Sequence, residues 1–130
     1  MTVWLIRVMT CVSCLIVTVV GQAVQTSPFY CNLSTLSKAE RERKEDISGT
    51  LAKRRLAVRE IADGFEFVFP GDRSTVQLVS EWVDTERLCC PFFDFAIQID
   101  REGGKLALRL TGREGTKEFI KADFTRWISR

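Results

Sequence analysis

Glu86-Arg87-Leu88-Cys89-Cys90-Pro91-Phe92-Phe93-Asp94-Phe95 joins two different hydrophobic periods and sets two adjacent thiols at the joint. Before it, Val76, Val79 and Val83 fall on one helical line and Leu78 and Trp82 on the next. That spacing predicts a helix capped by Ser74 or Thr75 and running to about 88. Pro91 stops it, because proline has no amide to donate and restricts the residue before it. After it, Phe93, Phe95, Ile97 and Ile99 alternate as a strand, Gly103-Gly104 turns the chain, and Leu106, Leu108 and Leu110 bring it back.

The same grammar holds upstream. Leu56 and Val58 alternate with smaller or charged neighbours, Asp63-Gly64 reads as a hairpin turn, and Phe65, Phe67 and Phe69 return. A displacement of 41 positions lays Leu56, Val58, Phe65, Phe67 and Phe69 onto Ile97, Ile99, Leu106, Leu108 and Leu110, which reads as two strand-strand-helix units. Ahead of both, Ser37 and Glu40 have the spacing of a capping box. They open a charged surface helix over 38–52 whose apolar positions are Ala39, Ile47 and Leu51. A short helix over 116–124 closes the chain. Residues pointing the other way from the sheet, such as Arg59, Glu66, Gln98, Ala107 and Arg109, are mostly polar or small. The expected fold is therefore α+β: a two-layer sandwich, with a four-stranded antiparallel sheet from two hairpins, α-ββα-ββα order, and helices on one face.

Residues 1–23 read as a signal peptide, in which Arg7 precedes an uncharged apolar run that ends in Gly21-Gln22-Ala23. Retained, the same run is long enough to anchor the chain in a membrane. Cys11 and Cys14 lie inside it and count as its bulk. Residues 24–37 then form an N-terminal extension carrying Cys31, and 38–130 a single domain. A periplasmic or secreted location follows from that reading. The chain carries a formal charge of +2, so neither nucleic acid nor an anionic membrane surface is an expected partner. Lys53-Arg54-Arg55 is a short basic run that fits a solvated helix face. Asn32-Leu33-Ser34 matches a glycosylation sequon, although a turn or cap is the plainer use of Asn32.

Histidine is absent, which excludes histidine bases, Cys-His nucleophiles and histidine metal sites. Chemistry must then come from thiols, carboxylates or lysines. Cys89 continues the Leu78-Trp82 line by seven residues and Cys90 continues the Val83 line, so both thiols belong to the buried half of the helix. Three readings of Cys31, Cys89 and Cys90 stand open. The first is a disulfide from Cys31 to Cys89 or Cys90 with one thiol left over, in a domain that binds a partner or an apolar ligand. The second is a soft-metal site, because three sulfurs without histidine suit Cu(I) or Hg(II) better than closed tetrahedral zinc. The third is a thiol enzyme, such as an organometal lyase, using Cys89 or Cys90 with Asp94 as proton donor. Against it, a helix C-terminus opposes a thiolate, and Arg87 compensates only if it turns towards the sulfurs.

Cys31-Asn32-Leu33, the Glu86 to Phe95 stretch, Leu108-Arg109-Leu110-Thr111-Gly112 and Lys117-Glu118-Phe119 together resemble a group of small bacterial proteins and regulator tails. Some members of that group are attached to regulators resembling the mercury-responsive type. The resemblance spans the chain after the signal segment and implies an association with soft metals, without implying an activity. It does not carry over a regulatory role, since this chain has no DNA-binding helix pair. The expected function is accordingly a soft-metal ion, of Hg(II) or Cu(I) type, held by Cys31, Cys89 and Cys90 without turnover, with Asp94 and Arg87 as auxiliary residues.

Overall fold

The computed structural model describes residues 26–129, so the signal segment expected over 1–23 lies outside the described residues. Ser37 opens the first helix, α1 (Lys38–Arg54), through the capping box. Its Oγ accepts from the Glu40 amide while the Glu40 carboxylate accepts from its own amide at 2.7 Å. The chain then runs through β1 (Ala57–Ile61), β2 (Gly64–Pro70), α2 (Arg73–Cys89), β3 (Asp94–Ile99), β4 (Lys105–Thr111), α3 (Thr116–Asp123) and α4 (Thr125–Ile128). This is the expected α-ββα-ββα order with one further helical turn. The four strands form one antiparallel sheet in the order β1-β2-β4-β3.

The two inner strands follow the internal repeat. Phe67 pairs with Leu108, while Phe65 pairs with Leu110 and Phe69 with Leu106, so the 41-residue displacement exchanges them about a local twofold. The outer strands depart from it: Val58 faces Phe67, but Leu108 faces Ile97 and not Ile99. The hairpin turns account for the slip. Ala62 and Asp63 make a two-residue turn in the first, while the second passes through a 3₁₀ turn with Glu102 and Gly103 at φ of 59° and 69°. Gly64 lies within β2 and not at the turn's centre. It is needed there for close approach, since a Cβ would fall 1.9 Å from the Leu110 carbonyl oxygen.

Directly paired residues share a face. Phe65, Phe67, Phe69, Leu106, Leu108 and Leu110 are thus buried together under the helices. Ile97 and Ile99 share that face, yet stay 39% and 49% exposed because the helical layer does not reach the β3 edge. The opposite face is polar at its centre, where Glu66 is buried between Arg59 and Arg109.

α4 was not foreseen as a separate element. It seats Trp127 against Phe67 and Phe69 with ring centroids 5.2 and 5.8 Å away, and against Trp82 at 4.6 Å. The start of α2 also differs from expectation: Asp72, not Ser74 or Thr75, is the cap. Its carboxylate accepts from the Thr75 amide at 3.1 Å and from both the Ser74 and Thr75 hydroxyls at 2.7 Å. A carboxylate outcompetes a hydroxyl there, because it meets more donors and the positive end of the helix dipole.

Two outcomes test this packing. Trp127→Ala empties the centre of the helical layer and lowers stability by about 3–5 kcal/mol in chemical denaturation. The hydroxyls of Ser74 and Thr75 hold the Asp72 carboxyl well below the usual range. A depressed carboxyl contributes fully above its unfolded value of about 3.9 and loses that contribution as pH falls through its native one. Asp72→Asn keeps the cap but not the titration, so its melting temperature falls less than the parent's between about pH 5 and about pH 2.

Candidate metal centre

α2 presents Thr75, Val79, Trp82, Glu86 and Cys89 to the core, a stripe of alternating four- and three-residue steps. An acid thus occupies a core position. Glu86 is 1% exposed, and its Oε2 is 2.7 Å from Nζ of Lys44, which reaches over from the same edge of α1 as Ile47 and Leu51. Burial raises the Glu86 carboxyl and the Lys44 ammonium partly offsets it. For Lys44, burial works against the charge, but the carboxylate beside it prevails and its pKa is raised.

One turn beyond Glu86 the helix ends. Cys89 is its last residue and Cys90 its cap, at φ −123° and ψ 68°, outside the helical region that the following proline disfavours. Both thiols are fully buried. Cys31 comes from the segment before α1, which is fastened on either side. The Asn32 amide donates to the Cys89 carbonyl at 2.8 Å, and Phe29 packs edge-on to Phe92 at 5.1 Å under the Arg113 guanidinium. Leu36 is buried in the common core. Asn32 also caps the short turn Leu33–Thr35, accepting from the Ser34 amide, as the plainer reading of that residue expects.

This delivers the Cys31 sulfur to 3.3 Å from that of Cys89 and 2.6 Å from that of Cys90. Ligand atoms of Cys31, Glu86, Cys89 and Cys90 all lie within 4.8 Å of one another, close enough to hold a metal ion. The thiols also form a donor chain, Cys90 donating to Cys31 and Cys31 to Cys89. The hydrogen bond from Cys31 is the main cause of a lowered Cys89 pKa, with Cys90 and the Lys44 charge assisting against burial, while the Cys89 sulfur also faces the Glu86 and Thr85 carbonyl oxygens at 3.4 and 3.7 Å and Glu86 Oε2 at 3.9 Å. Donating raises Cys31, and donation together with burial raises Cys90. Lys44 therefore supplies the cation that the helix C-terminus lacks.

The two auxiliary residues expected from the sequence are not in this group. Arg87 turns outward and binds Asp84 at 2.9 Å. Asp94 opens β3 opposite Thr111, exposed on the face away from the helices, since Phe93 and Phe95 on either side point inward. The sequence reading passed over Glu86 and Lys44. The signals for both were spacings: Glu86 is four residues past Trp82 and three before Cys89, and Lys44 three before Ile47.

Comparison of the chain with protein-family profiles, with curated proteins and with solved structures returned no match. The chemistry of the corner must be read from its own donors: three sulfurs, a carboxylate and an ammonium in a water-poor setting.

The charge distribution has a direct readout. Reduced protein should retain the ultraviolet absorbance of roughly one thiolate at about pH 6, far below the ordinary thiol value of about 8.5. Cys89→Ser removes that absorbance and Lys44→Met shifts its titration upward. A spectrum without thiolate until about pH 8 contradicts the assignment.

Proposed function

We propose that the protein binds one soft metal ion, of the Hg(II) or Cu(I) class, through Cys31, Cys89 and Cys90. The observation that carries this reading is the convergence of three sulfurs from two distant stretches of chain at one buried corner. Sulfur donors favour soft ions over hard ones, and the absence of histidine removes the nitrogen donors that zinc and Cu(II) commonly take. Glu86 stands beside the sulfurs with one oxygen engaged by Lys44, so it balances the ammonium and steadies the site's charge. Three thiolates and a carboxylate leave the loaded site anionic, which suits retention and not release of a product. Asp94 points to the other face of the sheet, away from the sulfurs.

A second reading rests on the same closeness. Cys31 oxidised with Cys90 fastens the N-terminal segment to the end of α2 and leaves Cys89 as a single free thiol.

Thiol counting separates the two. Reduced protein treated with one equivalent of Hg(II) should show all three thiols protected from alkylation by intact mass, and Cys31→Ser should lose affinity by at least about tenfold. Protein that gives one reactive thiol before any metal is added, and takes up none afterwards, supports the disulfide instead.

A further inference from the structure

In the order β1-β2-β4-β3, β3 is an edge of the sheet. One hydrogen bond fixes which of its backbone groups face outward: the Asp100 amide donates to the carbonyl of Lys105, the residue opposite it, at 2.8 Å. Antiparallel partners alternate between pairs that exchange hydrogen bonds and pairs that do not. Asp94, Ala96 and Gln98 therefore bond to β4, while Phe95, Ile97 and Ile99 aim their amides and carbonyls at the open edge. The same residues turn their side chains to the helical face, where Ile97 and Ile99 stay exposed. Among the described residues, this edge offers unpaired backbone and uncovered aliphatic surface together.

Free edges are normally blunted by a central charge, a proline or a bulge, because they template pairing with another chain. β1, the other edge, is blunted in this way. Arg59 and Glu60 lie within it, and Glu60 is tied to Lys117 and Lys121 of α3 at 3.1 and 3.3 Å. β3 has none of these devices. Its register on β4 runs without a bulge, and the acids Asp94 and Asp100 stand at its start and just past its end.

We propose that β3 pairs antiparallel with β3 of a second copy of this chain, Ile97 of each opposite Ile99 of the other, which joins the two sheets. Only registers that keep the two faces together are open to it. In this one Ile97 and Ile99 exchange backbone hydrogen bonds and cover each other, with Gln98 against its own copy on the twofold. Charge selects the same register. On the open face Arg59, Glu66, Arg109 and Ala96 form one row across the sheet, with Glu66 paired to both arginines. Asp100 and then Lys105 of the other copy continue that row, so the signs alternate, and the small Ala96 leaves Asp100 facing Arg109. Moving the other copy by two residues sets Asp94 against Asp100 in one direction and Ile97 against Arg101 in the other. The contact does not depend on the metal reading.

Sedimentation velocity of the reduced, metal-free, full-length chain tests this at up to about 0.5 mM, because so short an edge belongs with the weak, transient interfaces. The parent should sediment as a concentration-dependent dimer. Ile97→Lys and Ile99→Lys each put an ammonium into the contact from an exposed position, and each should return the monomer without lowering the melting temperature. Gln98→Cys should form a disulfide between the two copies of residue 98 on mild oxidation, identified by peptide mass, since directly opposed residues of this kind have Cα atoms about 4.5 Å apart. Ala96→Cys, opposite Asp100, should not cross-link to itself. A parent that stays monomeric at every concentration overturns the proposal, as does a dimer untouched by either lysine. Cross-linking at 96 as readily as at 98 places any contact in another register or surface and overturns it too.

Discussion

Pro91 obliges α2 to stop where its inward stripe has just delivered two thiols to the core. The cap conformation of Cys90 accompanies burial of its thiol beside Cys89, and the Asn32 amide then uses the Cys89 carbonyl, left without a helical partner, as its acceptor. One helix end thus satisfies its backbone, anchors the N-terminal segment and assembles three sulfurs in a single stroke. The repeat of two hairpins supplies the floor on which this happens, and the aromatic layer of Trp82, Phe92, Phe93, Phe119, Phe124 and Trp127 supplies the walls.

Electrostatics decides what the corner is suited to. A helix C-terminus is a poor place for a thiolate, and an isolated buried carboxylate is worse. Lys44 addresses both, since its ammonium pairs with Glu86 and lies close enough to lower Cys89. The arrangement remains short of positive charge for three thiolates. Under the reading proposed above, a cation that sulfur prefers completes it.

The fold was largely legible from period alone. Alternating Phe65-Phe67-Phe69 and Leu106-Leu108-Leu110, the Ser37-Glu40 box and Pro91 marked sheet, helix start and helix stop, because each is a local rule that tertiary packing did not override. The outer-strand register was not legible, since it depends on how the two turns are built. α4 is too short to show a period, although Trp127 turned out to centre the helical layer. Of the site, all three cysteines could be named. Their partners could not, because a glutamate and a lysine on the buried stripes of two helices look in sequence like ordinary solvated charges. Asp94 drew notice by nearness to the thiols, yet the same alternation that buries Phe93 and Phe95 turns it to the opposite face.

The proposed function requires one ion held by three sulfurs. X-ray absorption at the metal edge of protein loaded with one equivalent of Hg(II) or Cu(I) measures this directly. Three sulfur scatterers should surround the ion, falling to two in Cys31→Ser. A shell of two sulfurs in the parent protein, or one dominated by oxygen or nitrogen, would contradict it.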